Sequence, residues 1–301
     1  MPSRWTGKEC MMEKKLLMIV NPRAGRNKSH GPLFDAAAIF SEAGYLLRIH
    51  RTTAPGDATE TVAREGSQYD LVVASGGDGT LNETIAGLVQ LDNPPLLGYL
   101  PQGSTNDFAS SLHISDDPAA AAEVIVQEHV QVLDVGLWNQ RPFAYVASFG
   151  AFTRTSYTAS QASKNALGHF AYILEGMKDL NSLRPYRIRV TADGEVLDGD
   201  YLFGAVCNST SIGGLMKLDP ERVVLDDGKF ELLLIPSPKT PLELQNLMLA
   251  LLNQHYDSEG LVFRHISSLH LETEEDLPWS LDGEYAPSTP SVDIVNRQGA
   301  L

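Results

Sequence analysis

An α/β domain built on a parallel sheet, followed by a mainly antiparallel β domain, is the fold class this 301-residue chain predicts. Three observations predict it. Up to about residue 132, short apolar runs alternate with segments of helical periodicity. The early strands end in turns that carry glycine. Beyond residue 132 nearly every segment alternates apolar and polar residues in strand fashion. Strand and helix in turn imply a parallel sheet covered by helices, whereas a run of alternating strands implies antiparallel pairing. The length suffices for two cores. The change of pattern places a boundary at about residues 130 to 135, so we expect domains at 14–132 and 133–301.

Residues 1–13, "MPSRWTGKECMME", carry charges but no apolar stretch of a secretory signal, and are expected to be an extension without fixed structure. "KLLMIV" reads as the first strand and "GPLFDAAAIFSEAG" as a helix closed by Gly44. "YLLRIHRT" and "GDATETVAREGS" repeat the pair. "YDLVVAS" is a third strand with the continuous apolar run of a strand buried on both faces. "PLLGYLP" is a fourth strand, and "DDPAAAAEVIVQEH" a further helix. In the second half "VQVLDVGLW", "PFAYVASFG", "YRIRVTADGEVLDGDYLFGAVCNS", "KFELLLIP" and "LVFRHISSLHLET" are strand-like, with Asp-Gly turns. Helices are expected at about 163–183 and 241–256.

The net charge of −15 argues against a general nucleic-acid binder. It is unevenly spread: residues 1–51 hold 9 Lys and Arg against 4 Asp and Glu, a net of +5 that leaves −20 for the rest. Two cysteines, Cys10 and Cys207, make no disulfide framework, and a reducing cytoplasm fits. No apolar run reaches the ~18 residues of a membrane span. The eight histidines show no ligand spacing, and neither a Gly-x-Ser-x-Gly elbow nor a Walker lysine is present.

The glycines of "SGGDGTLNETIAGL" stand between the third strand and a helix marked by Leu81, Ile85 and Leu88. Three glycines in four residues predict positive φ and close approach of a ligand to bare amides. The helix N-terminus adds unpaired donors, and Glu83 is expected in its opening turn. Together these predict a phosphate cradle. Ligands of parallel sheets lie beyond the carboxyl ends of the strands, which puts "NPRAGRN", "SGGDGT" and "PQGSTND" side by side.

"NPRAG", "GGDGTLNE" and "PQGSTNDFA", in this order and spacing, resemble the diacylglycerol kinase catalytic-domain family, in its soluble bacterial lipid kinase branch. Late in the chain "VVLDDGKFELLLI" and "SLDGE" resemble that family's metal-binding and catalytic segments. "GGDGT" alone is shared with NAD kinases and phosphofructokinases; the combination is specific. The resemblance implies an N-terminal nucleotide-binding domain like that of NAD and diacylglycerol kinases, a C-terminal β-sandwich and an active site between them. By it, Asn21, Pro22, Arg23, Ala24 and Gly25 form the first nucleotide loop, and Thr52 is a further ATP contact. Gly76, Gly77, Asp78, Gly79, Thr80, Leu81 and Asn82 wrap the phosphates, and Ser104 contacts the nucleotide where the family often has threonine. Asp78 engages a catalytic magnesium through water. A structural magnesium site uses Asp227 with the backbone carbonyls of Val224 and Lys229. Relatives are commonly homodimers, and the extreme C-terminus is expected to return to the first domain.

ATP arrives with Mg²⁺, a hard ion that takes carboxylate and water oxygens. Phosphoryl transfer needs positioning and charge neutralisation, and a hydroxyl acceptor needs a base. Asp282 and Glu284 share one short turn in "LDGE", and the residues leave open which takes the proton. Asp282-Gly283 is also what a plain hairpin would carry. The expected activity is ATP- and Mg²⁺-dependent phosphorylation of a lipid hydroxyl, with diacylglycerol giving phosphatidic acid as first choice. The expected setting is the cytoplasm, with reversible contact at the inner face of the membrane. A NAD kinase or other small-molecule kinase, and a nucleotide-binding regulator without turnover, are the alternatives.

Overall fold

The computed structural model describes residues 13–24, 31–103, 106–150, 184–212, 216–218, 222–253, 255, 256, 258 and 260–301. Strands β1 (Lys14–Val20), β2 (Tyr45–Arg51), β3 (Leu71–Gly76) and β4 (Leu96–Pro101) form a parallel sheet in the order β2-β1-β3-β4. Leu16, Leu17, Met18 and Ile19 are wholly buried because β1 is covered on both faces. Leu16 and Met18 point to one side, against helices α1 (Gly31–Glu42) and α5 (Pro118–Val126), through Phe40, Ala121 and Ala122. Leu17 and Ile19 point to the other, against α2 (Asp57–Glu65) and α3 (Asp78–Leu88), through Val62 and Leu88. The chain runs outward from β1 in both directions, to β2 on one side and β3 on the other. Such a switch point leaves a crevice at the carboxyl ends of β1 and β3.

Local signals explain the helix ends. Gly44 takes a φ of 89° after α1, the left-handed conformation that ends a helix cheaply. Asp117 accepts a bond from the Ala119 amide, with Pro118 at the first position of α5. Asp57 opens α2 and accepts bonds from the Thr53 amide and hydroxyl and from His50, which hold its carboxyl down at about 2.

The second domain is one large, curled antiparallel sheet. Its path is β16 (Glu284–Ala286), β15 (Trp279–Leu281), β7 (Val146–Gly150), β9 (Glu195–Cys207), β8 (Tyr186–Ala192), β14 (Ser268–Glu272), β17 (Ser291–Arg297), β5 (Val135–Trp138) and β6 (Arg141–Phe143). β12 (Phe230–Pro236) also pairs with β9 and carries β13 (Val262–Ile266). A separate short pair is β10 (Ser211–Ile212) and β11 (Met216–Lys217). Trp138, Phe143, Phe149, Phe230 and Trp279 fill the inside of the curl. The outer face of β7, β9 and β12 carries Cys207, Leu233 and Ile235, packed with Leu244 and Leu247 of α6 (Pro241–Leu252). The same cluster includes Ala74, Leu81, Ile85 and Phe108 of the first domain. The two domains therefore share a core. The last residues return to the first domain: Leu301 exchanges two backbone bonds with Leu133 and packs with the β1–α3 cluster.

Several elements differ from expectation. "PFAYVASFG" is two strands, broken at Ala144 and Tyr145, whose amides turn inward to bond a carboxylate. Residues 130–134 are no strand, and a short helix α4 (Asp107–Ser111) follows β4. The helix expected at 163–183 lies outside the described residues.

Candidate active site

The three turns do lie together. The Asn21 amide bonds the Ser75 carbonyl, and the Gln102 amide bonds the Gly76 carbonyl at 2.7 Å. The Asn21 amide nitrogen Nδ2 donates to Thr80 Oγ1 at 3.1 Å, and its Oδ1 accepts from the Arg23 amide. The chain turns at Pro22 and Arg23, and the Ala24 amide closes the turn on the Asn21 carbonyl. Thr52 stands at the end of β2, bonded to the Val20 carbonyl. Gly25 and Ser104 lie outside the described residues.

The glycines do not supply the expected positive φ. Gly77 has φ −91° and ψ −173°, and none of Gly76, Gly77 or Gly79 has positive φ. What they lack is room. A methyl on Gly76 would stand 2.3 Å from Thr80 Oγ1, and one on Gly77 3.1 Å from the Gly103 Cα. A methyl on Gly103 would meet the Gly77 Cα at 2.7 Å and Asn106 Oδ1 at 2.6 Å. So the second and third turns touch backbone to backbone. Gly79 differs: its missing methyl would meet Glu284 Oε1 at 2.7 Å, a carboxylate from the other domain. The amides of Thr80 and Leu81 fold back onto the Gly77 carbonyl, starting α3 with Asp78 in its first turn. Glu83 is not in that turn; it lies further along and accepts a bond from the Gly56 amide, joining α2 to α3. The Leu81 side chain is in the core, and Asn82 is buried and turned toward the second domain.

Beside this turn three carboxyls share one low-dielectric site. Burial raises the affinity of Asp78 for a proton, partly offset by the amides of Phe108, Asp107 and Asn106 at the start of α4. Its Oδ1 is buried without a hydrogen-bond partner. Asp107 is pushed up to about 7, first by burial, then by the charges of Asp78 and Asp282. Asp282 is buried, which raises it, and its hydrogen bonds work the other way. Oδ2 accepts from Asn82 and from the Ala144 amide, both at 2.6 Å; Oδ1 accepts from the Tyr145 and Val146 amides at 3.0 Å. Asp282 and Gly283 have φ of 49° and 84°, so this is an Asp-Gly hairpin turn whose carboxylate also plugs the break between β6 and β7. Glu284, one step along, has a half-exposed side chain against Gly79, with Arg141 Nη2 3.4 Å from its Oε2. Burial raises its carboxyl, Arg141 lowers it, and Glu83 and Asp282 raise it again.

The donor sets suit hard cations. A buried carboxylate oxygen without a partner, in a site where burial raises all three carboxyls, is what a hydrated divalent ion relieves. At the other position Asp227 Oδ1 accepts from the Lys229 amide, and Val224 and Asp227 are exposed on the loop before β12. One carboxylate flanked by backbone carbonyls fits magnesium or calcium and not a soft metal. That loop is tied to the C-terminal segment: buried Asp134 accepts from the amides of Gly228 and Gly299 and from Asn296. No cluster of three or more His, Cys, Asp or Glu suited to a metal occurs among the described residues.

Asp107, Asp134 and Arg141 are the site residues sequence reasoning missed. Asp107 carried a signal, an acid directly after the third glycine-bearing turn at a helix start. Asp134 and Arg141 carried none, since their partners lie 94 and 143 residues away.

Residues 15–138 match the diacylglycerol kinase catalytic domain, and residues 146–298 match the YegS C-terminal NAD kinase beta sandwich-like domain. A diacylglycerol kinase of Bacillus subtilis is 34% identical over 286 residues, covering 94% of this chain and 93% of its own. A diacylglycerol kinase of Staphylococcus aureus is 33% identical, covering 93% and 89%. A crystal structure of a diacylglycerol kinase from Bacillus anthracis superposes with a TM-score of 0.73 at 26% identity, covering 96% and 95%. Two matched domains and relatives that cover more than nine-tenths of the chain lead to one conclusion: this chain belongs to the diacylglycerol kinase family.

Proposed function

We propose that the protein transfers the γ-phosphoryl group of ATP to the free hydroxyl of diacylglycerol, with magnesium, giving phosphatidic acid. The observation that carries the proposal is the meeting of Glu284 with Gly79, which sets a carboxylate against the candidate phosphate turn. The turns after β1, β3 and β4, with Thr52 at the end of β2, hold the nucleotide: Asn21, Pro22, Arg23, Ala24 and Gly25 from the first, Gly76 to Asn82 from the second and Ser104 from the third. Leu81, whose side chain is in the core, acts through its backbone, and the Asn82 side chain holds Asp282. Magnesium fits at Asp78 through water, and structurally at Asp227 with the carbonyls of Val224 and Lys229. When bound it neutralises charge on the transferring phosphoryl group.

Glu284 is the better base of the two candidates. Asp282 spends both oxygens on four hydrogen bonds, so accepting a substrate proton would break a buried bond. Glu284 is half exposed and raised by burial, and so accepts a proton more readily than an ordinary glutamate. Asp282 then holds the hairpin that aims it. Incubation with γ-labelled ATP and a panel of extracted lipids, NAD and sugars tests the reading: label should enter diacylglycerol and require Mg²⁺. Label in NAD or a sugar instead would overturn it, and ATP binding without transfer would favour a regulator.

A further inference from the structure

We propose that Arg141 is a positioning residue that aims the Glu284 carboxylate at the glycine turn; the inference rests on the kinase reading above. Strands β6 and β16 are the two ends of the long sheet path, and the curl brings them together. Arg141, on β6, spans that closure. Its Nη1 donates to the Tyr285 carbonyl at 3.2 Å, and its Nη2 lies 3.4 Å from Glu284 Oε2. One planar group thus grips both the backbone of β16 and the carboxylate that projects from it, which a lysine ammonium does less well. The other oxygen of Glu284, Oε1, is the one that lies against Gly79. Without Arg141 a half-exposed glutamate on an edge strand would sample several rotamers, and it would feel Asp282 and Glu83 without a compensating cation. The hairpin is clasped twice. Asp282 fixes its turn from inside, and Arg141 fixes its side chain from outside.

Lipid phosphorylation by Arg141→Ala, Arg141→Lys, Glu284→Gln and the Arg141→Ala/Glu284→Gln double variant tests this. Arg141→Ala should keep the wild-type melting temperature, lose about tenfold or more in kcat with KM for ATP within about twofold, and regain part of the loss with Arg141→Lys or added guanidinium. In the Glu284→Gln background the same change should cost almost nothing further, because the partner is already gone. Full activity in Arg141→Ala, a loss mainly in KM for ATP, or a loss undiminished in the double variant would each overturn the proposal. Should Arg141→Ala fail to fold, Arg141→Lys is read through the same cycle. A wild type that phosphorylates no lipid sinks the kinase reading before any variant is compared; an active wild type with indifferent variants sinks this inference alone.

Discussion

Asp107 shows how much one side chain can depend on its neighbours. Its carboxyl is pushed up to about 7 because burial and two like charges oppose ionisation. The sign follows. A carboxyl whose folded value is raised favours the fold at low pH, and that advantage is lost as pH rises from the ordinary carboxylate value of about 4 to about 7. Asp107→Asn removes the ionisation and keeps the shape. Its melting temperature relative to wild type, measured without divalent metal, should therefore rise by several degrees between pH 5 and pH 8, and Mg²⁺ should narrow the gap at pH 8. A pH-independent difference would mean that Asp107 does not titrate in the fold. The glycines supply a second test at this scale. Gly103→Ala sets a methyl 2.7 Å from the Gly77 Cα, backbone against backbone, so it should destabilise by ~1–3 kcal/mol by denaturant unfolding. An unchanged midpoint would show that the two turns can part freely.

At the scale of elements, the hairpin β15–β16 is the part that carries most consequence for its size. Asp282→Asn keeps the volume but turns one acceptor oxygen into a donor facing amide hydrogens. Since Ala144, Tyr145, Val146 and Asn82 all donate to that carboxylate, the variant leaves at least one buried donor facing another. A loss of ~2–4 kcal/mol in stability is expected alongside the loss of activity. Glu284→Gln, half exposed, should unfold like wild type. Equal stability of the two variants would contradict the division of roles. This is also where the sequence was least explicit. "SLDGE" reads equally as a hairpin and as a pair of catalytic acids, and the structure makes it a hairpin with one acid plugged inward and one half exposed beside Arg141. The parallel sheet, by contrast, was plain in the sequence, because doubly buried strands such as "LVVAS" leave an uninterrupted apolar run. α4 and the break at Ala144–Tyr145 were hidden: five residues are too few to show a period, and the break is dictated by a carboxylate 137 residues away.

For the whole molecule, exposed apolar side chains lie beside arginines along one edge of the first domain. No helix among the described residues is long and apolar enough to cross a membrane. The first domain nevertheless exposes Phe34 on α1, at 76%, and Leu46 and Ile49 on the edge strand β2, which also carries Arg48 and Arg51. We expect reversible binding to anionic vesicles, weakened by salt as screening shortens the reach of these charges. Flotation with neutral and anionic vesicles at low and high salt measures it, and equal binding to both would remove the electrostatic part. The order of the three turns, the shared core and the returning C-terminus set the two domains so that a carboxylate of one meets the glycine turn of the other. That meeting is the central claim. It is tested most directly by transfer of label from γ-labelled ATP to diacylglycerol, comparing wild type with Glu284→Gln at matched melting temperature. We predict label in phosphatidic acid with wild type and a kcat ~10²–10⁴-fold lower in the variant, with KM for ATP little changed. Transfer by Glu284→Gln at the wild-type rate would contradict the account.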